Sequence, residues 1–237
     1  MLPATCNLDE LIASIQVLVA DRKLAMSSSA SSDRRLLIGF AGVPGSGKTT
    51  ATAAIASALN GEPSQVSPAV TICPMDGFHI ERAVLRTWPN SEEAFARRGA
   101  PFTFDGSAFV KCLQALRDGY GNNDVYCPSF DHSAKDPVAN AICIPAECPV
   151  VLIEGNYLLY DAEKPWDSVK DLLDWTVYVD TPWSVAESRV IARSLDAGIC
   201  QTEKEAHARC ASNDTINARY VEASRKRANS FLTSQQI

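Results

Sequence analysis

Leu36-Leu37-Ile38-Gly39-Phe40-Ala41-Gly42-Val43-Pro44-Gly45-Ser46-Gly47-Lys48-Thr49-Thr50 is the stretch whose pattern decides the fold. Its first six residues form a short, unbroken apolar run, as expected of a strand buried on both faces of a parallel sheet. From Gly42 to Thr49 the residues fit G-x-x-x-x-G-K-[ST]. Glycines in such a loop let backbone N–H groups converge on one point, and the helix that follows adds its N-terminal dipole. Lys48 supplies a point charge between the β- and γ-phosphates of a nucleotide, and the Thr49 hydroxyl suits Mg²⁺. Gly42, Val43, Pro44, Gly45, Ser46, Gly47, Lys48, Thr49 and Thr50 are therefore the expected nucleotide site, with ATP and Mg²⁺ as its ligands.

Working outward, Thr50 to Leu59 is alanine-rich with helical apolar spacing and is ended by Asn60-Gly61. Val70 to Met75 reads as a second strand closing on Asp76-Gly77. Strand, helix and strand make a βαβ unit, which implies a parallel sheet with a right-handed crossover. Cys148 to Ile153 and Trp175 to Val179 read as further buried strands, ending at Glu154-Gly155 and Asp180. Asp105 caps a predicted helix through Phe109, Leu113 and Leu116 that Gly119 stops. Thr181-Pro182 opens another to about Leu195, and residues 202–229 read as helical and charged.

The expected fold is α/β: a P-loop NTPase three-layer sandwich with a central, mainly parallel sheet, helices on both faces and a small helical lid around 189–205. Residues 1–32 are expected to be an N-terminal helix and serine linker, and 33–237 the main domain. In open α/β sheets ligands bind beyond the carboxyl ends of the strands. Gly42, Asp76, Glu154 and Asp180 fall there.

Composition narrows the partners. Of 237 residues, 46% are hydrophobic and 21% charged, enough apolar material for a full core. A net charge of -6 disfavours nucleic acid or an anionic membrane as partner. Eight cysteines are scattered with no C-x-x-C pair, so zinc-site spacing is absent and reduced, buried thiols are expected. Leu8, Leu11, Ile12, Ile15, Leu18 and Val19 recur at helical spacing among acidic residues. That pattern fits a helix packed on the domain better than a presequence or a membrane span. A cytoplasmic location is expected; the oligomeric state is not legible.

Pro74-Met75-Asp76-Gly77-Phe78-His79 resembles the motif after the second strand in the phosphoribulokinase, uridine kinase and pantothenate kinase superfamily. Further blocks follow in the same order over about residues 36–220. Arg97-Arg98-Gly99-Ala100-Pro101-Phe102-Thr103-Phe104-Asp105, Pro128-Ser129-Phe130-Asp131-His132 and Glu154-Gly155-Asn156-Tyr157-Leu158-Leu159 are similar to blocks of one subgroup. That subgroup holds fungal ATP-dependent kinase-like proteins and bacterial fructose transport system kinases. Asn213-Asp214 and Asn217 echo its C-terminal helix.

The resemblance implies a kinase that moves the γ-phosphate of ATP to a hydroxyl of a small metabolite. Asp76, Lys48, Glu154 and Arg193 become the expected catalytic residues. A carboxylate at Asp76 suits acceptance of the hydroxyl proton. Thr49 and Glu154 are the expected metal residues, and the division of base and metal duties between Asp76 and Glu154 stays open. Arg189 and Arg193 stand one turn apart in the lid, where a guanidinium can meet charge on the transferring phosphoryl group. Arg97, Arg98, Phe130, His132 and Asn156 are the expected acceptor contacts, and His79 either lines the same pocket or finishes its turn. Bacterial relatives often carry Arg where His132 stands, which leaves acceptor specificity open.

No Asn/Thr-Lys-x-Asp guanine reader occurs, so a GTPase is disfavoured. The competing readings are a nucleoside triphosphate hydrolase or nucleotide-dependent regulator without a dedicated acceptor, and a binding protein that has lost turnover. The presence of Lys48, Thr49, Asp76 and Glu154 together argues against the last.

Overall fold

A computed structural model describes residues 2–27, 34–61 and 68–233. The chain runs β1 (Thr5–Cys6), α1 (Leu8–Ser27), β2 (Leu36–Ala41), α2 (Lys48–Asn60), β3 (Val70–Pro74), α3 (Arg82–Leu85), α4 (Ser91–Ala96) and α5 (Gly106–Asp118). It continues through β4 (Val125–Asp131), β5 (Asp136–Ile144), β6 (Val150–Gly155), β7 (Trp175–Asp180), α6 (Trp183–Asp196), α7 (Glu203–Arg209), α8 (Thr215–Ser224) and β8 (Ser230–Thr233).

Six strands form one sheet in the order β1-β8-β7-β2-β6-β3, and every pairing in it is parallel. Side chains alternate across its faces, as the two-residue period of a strand requires. Ile38, Phe40, Leu152 and Val177 meet Leu11, Ile15 and Val19 of α1 and Ala51 and Ile55 of α2 on one face. Leu37, Val151, Ile153 and Tyr178 meet Phe109, Leu113 and Leu116 of α5 and Val221 of α8 on the other. This is the expected α/β arrangement, with helices on both faces. Burial on both sides explains why β2 and β6 read as unbroken apolar runs.

The N-terminal segment joins the same body. Thr5 and Cys6 pair with Phe231 and Leu232 at the sheet's edge, and α1 buries Leu11 and Ile15 completely. The serine linker expected before β2 lies outside the described residues from Ser28 onward.

Several boundaries differ from expectation. β3 ends at Pro74 rather than Met75, because Met75–Phe78 turn into a 3₁₀ helix. The predicted helix over 202–229 is broken by a π-helical turn at Cys210–Asp214 and gives way to β8 at Ser230. β4 and β5 make an antiparallel hairpin apart from the main sheet, with a register shift between Cys127 and Ser129. Asp105 caps α5 as expected, its carboxylate accepting from the Ala108 N–H. Arg35 is fully buried and donates to the carbonyls of Cys148, Leu116, Pro145 and Ala146.

Candidate active site

Strand register brings the chemistry together. Phe40 lies opposite Glu154 in the β2–β6 pairing, and Pro74 lies opposite Glu154 in the β3–β6 pairing. The loop after β2, the turn after β3 and the end of β6 therefore emerge side by side. Asp76 belongs to the 3₁₀ turn, one residue past its start.

The glycines of the loop are required by contact and not only by conformation. Gly45 has φ +80, and a Cβ there would run into the carbonyl oxygen of Ala186 in α6. The loop is also tied to the residue after β7, where the buried Thr181 hydroxyl donates to the Ser46 carbonyl at 2.8 Å. Gly77 serves the opposite wall: a Cβ there would strike the carbonyl oxygen of Pro128 in β4, so the Asp76 turn can lie flat on the hairpin.

A cleft of about 290 Å³ is bounded by this assembly. Pro44, Gly45, Gly47, Lys48, Thr49 and Thr50 line one side, and Asp76, Glu154, Gly155 and Asn156 another. Arg189 and Arg193 of α6 complete it. Val43, Gly42 and Ser46 are not in its lining. Val43 packs in the core, Gly42 offers its carbonyl to Lys48, and the Ser46 hydroxyl is buried with no hydrogen-bond partner among the described residues.

Lys48 Nζ donates to the carbonyls of Gly42 and Val43 at 2.9 and 3.0 Å. Burial lowers its pKa to about 8, against the opposing pull of Glu154 and Asp76. The Thr49 hydroxyl is 3.2 Å from each carboxylate oxygen of Glu154. Burial, reinforced by Asp76, raises the Glu154 pKa to about 7, while Lys48 and Thr49 draw it down. A near-buried lysine thus faces two carboxylates across a space of nucleotide-phosphate size. The free N–H groups at the start of α2 open onto it.

The other expected residues sit farther out. Arg97 donates from Nε to Asn213 Oδ1 at 3.1 Å and from Nη2 to Asn217 Oδ1 at 2.9 Å. Arg98 bridges to Asp136 at 3.1 Å and to the Lys135 carbonyl, while its Nη1 is buried with no partner among the described residues. His132 is exposed near the hairpin turn and stands edge-on to Phe130, ring centroids 5.3 Å apart. None of Arg97, Arg98, Phe130 and His132 lines the phosphate cleft. Asp180 pairs with Arg225 at 2.8 Å and is likewise outside it.

His79 finishes its turn and also does more. Its Nδ1 meets the Asp76 carbonyl at 2.8 Å, and its ring packs 4.0 Å from Phe104 and 4.8 Å from Phe130. Burial lowers its pKa. The rings Phe104, His79, Phe130 and His132 thereby form a continuous file from the Asp76 turn to the hairpin. A second, wider cleft of about 850 Å³ shares Gly77, Phe78 and His79 with that turn and reaches Trp88, Phe102 and Trp166. Sequence reasoning missed Thr181 and the asparagine pair behind Arg97. The Asn-Asp-x-x-Asn spacing was visible, but not the partner across the fold.

A parallel sheet whose central strand opens into a glycine-rich loop and helix, with a lysine and carboxylates beside the loop, defines a P-loop nucleotide-dependent phosphotransferase. The sequence pattern of the Phosphoribulokinase / Uridine kinase family matches residues 37–229, and the chain belongs to that family. A Schizosaccharomyces pombe protein described as a candidate uridine kinase is 42% identical over 189 residues, 80% of this chain and 79% of the relative. An Aspergillus versicolor ATP-dependent kinase-like protein is 38% identical over 146 residues, 61% of this chain and 84% of the relative. The crystal structure of a candidate fructose transport system kinase from Silicibacter sp. TM1040 superposes with a TM-score of 0.75 at 33% identity. That match covers 93% of this chain and 98% of the other. The chain is therefore a P-loop kinase that uses ATP. Among the described residues no helix is long and apolar enough to cross a membrane.

Proposed function

We propose that this kinase transfers the γ-phosphoryl group of ATP to a hydroxyl of a small metabolite, with Mg²⁺ as its metal. The observation that carries the reading is the shared cleft: Pro44, Gly45 and Gly47 of the phosphate loop, Lys48, Asp76, Glu154 and Arg193 all line it. The Thr49 hydroxyl and the Glu154 carboxylate, 3.2 Å apart, are hard oxygen donors of the kind Mg²⁺ takes. Mg²⁺, when bound, neutralises charge on the β- and γ-phosphate oxygens.

The chain's own residues then divide the work. Loop N–H groups and Lys48 hold the phosphates, the ammonium leaving the Gly42 and Val43 carbonyls to do so. Asp76 accepts the proton as the acceptor oxygen forms its bond to the γ-phosphorus and the bond to the bridging oxygen of ADP breaks. Arg193 sits where a guanidinium stabilises the equatorial phosphoryl oxygens. Asn156 borders the same space, and Arg97, Arg98, Phe130 and His132 form the acceptor side beyond it. The segment around 189–205 acts as the lid that excludes water. The net charge of -6 fits a small-molecule partner, not nucleic acid or an anionic membrane, in a cytoplasmic setting.

The relatives' descriptions make uridine and fructose the first members of an acceptor panel. ADP release is measured for each, with Asp76→Asn beside the wild type. One compound should stimulate ADP release strongly, and Asp76→Asn should abolish that stimulation while still binding ATP. Equal ADP release with and without every compound overturns the transfer reading in favour of a hydrolase.

A further inference from the structure

Outside the active site, three thiols distant in sequence meet in the interior. The Sγ atoms of Cys73 in β3, Cys112 in α5 and Cys127 in β4 all lie within 4.8 Å of one another, and Cys112 and Cys127 are 3.5 Å apart. Cys73 and Cys127 are fully buried, whereas Cys112 is only half-buried and gives the group a side toward solvent.

We propose that Cys73, Cys112 and Cys127 form a binding site for one thiophilic divalent cation of the zinc class. Metal–thiolate bonds run about 2.3 Å, so three sulfurs around one such ion stand roughly 3.8–4.0 Å apart. The Cys112–Cys127 spacing of 3.5 Å is slightly below that value, and the other two spacings lie within 4.8 Å, so small side-chain shifts bring all three sulfurs onto one ion. The cluster includes no histidine or carboxylate among the described residues, and an all-sulfur donor set selects soft cations over Mg²⁺ or Ca²⁺. Solvent entering beside Cys112 supplies the fourth position.

Charge supports the same conclusion. Three thiols bind a divalent cation with release of three protons, leaving one net negative charge in an apolar core. The fully buried Arg35 guanidinium, hydrogen-bonded to the carbonyls of Cys148, Leu116, Pro145 and Ala146, puts a fixed positive charge in the same core. Its single positive charge offsets that of the complex. The bound ion would join β3, α5 and the hairpin behind the Asp76 turn.

The test titrates the reduced full chain with Zn²⁺ against a chromophoric chelator, with excess Mg²⁺ present to occupy carboxylate sites. One equivalent should bind in the wild type and in Cys143→Ser, whose exposed thiol is not part of the cluster. In Cys112→Ser the dissociation constant should rise at least about 100-fold. Equimolar Zn²⁺ should also slow alkylation of Cys112 in the wild type without slowing that of Cys143, a readout needing no variant. Failure of the wild type to take Zn²⁺ from the chelator, equal affinity in Cys112→Ser, or unprotected Cys112 overturns the site.

Discussion

The Thr49 hydroxyl lies 3.2 Å from both carboxylate oxygens of Glu154, joining the helix after the phosphate loop to the end of the neighbouring strand. The two residues are 105 positions apart in the chain. Parallel pairing of β2 with β6 makes them neighbours. The contact places a nearly buried carboxylate where its charge is costly until something positive shares the space.

That cost has a pH signature in the nucleotide-free protein. Glu154 is raised from 4.5 to about 7 by burial and by Asp76. Between those values the folded chain holds a proton that the unfolded chain has released, so this group's contribution to stability falls as pH rises. Glu154→Gln removes the effect. Denaturation midpoints from about pH 5 to pH 7 should therefore decline more steeply for the wild type than for Glu154→Gln. Parallel profiles would show that Glu154 titrates normally in the fold.

Lys48 carries the opposite shift. Burial lowers its pKa to about 8, so in mildly alkaline solution part of the protein holds it neutral. Triphosphate binding brings negative charge against Nζ and restores the proton. Calorimetry above pH 8, in buffers of different ionisation enthalpy, should reveal proton uptake on ATP binding, and Lys48→Met should abolish it. The same variant should lose about 100-fold or more in turnover, the scale of removing one preorganised donor. Proton uptake retained in Lys48→Met would assign it to another group.

The phosphate loop was legible because its chemistry is local: eight consecutive residues must turn their N–H groups to one point, and only a few side chains allow it. The buried strands β2 and β6 were legible for a related reason, since burial on both faces demands unbroken apolar runs. β1 and β8 were not. With two and four residues they are too short to show a period, and they exist through pairing with each other and with β7. The hairpin escaped notice too, because much of it is only half-buried and a register shift breaks its alternation. The Cys73, Cys112 and Cys127 cluster was not legible because its members are far apart in sequence and meet only through three separate elements.

Arg193 borders the phosphate cleft from α6, together with Arg189, whose Nη1 reaches the Gly45 carbonyl at 3.4 Å. Charge on the transferring phosphoryl oxygens develops mainly in the transition state, so a guanidinium placed for them affects kcat more than ATP affinity. Arg193→Ala should lower kcat by about 10²–10³-fold while changing the KM for ATP little. Arg193→Lys should recover only part of the loss, because an ammonium lacks the planar fork. A change confined to KM would make Arg193 a ground-state binding residue.

Arg97 was expected at the acceptor side, yet its guanidinium is held by Asn213 and Asn217, both at most 2% exposed. Asn213 also donates to the Arg98 carbonyl at 2.9 Å, so the π-helical turn fixes both arginines at once. Arg97→Ala removes the donor to the Asn217 oxygen and leaves the Asn213 oxygen with only the Asn217 amide, a loss of about 1–3 kcal/mol. For a chain of this size that corresponds to a melting temperature lower by roughly 2–4 °C for each kcal/mol. Asn217→Ala removes the partner of the same bond, so in the double variant the two losses should fall well short of additive. A stable Arg97→Ala protein with impaired acceptor use would place the guanidinium on the substrate. Loss of stability with an unchanged acceptor KM would make it a strut between the Arg97-Arg98 segment and the C-terminal helix.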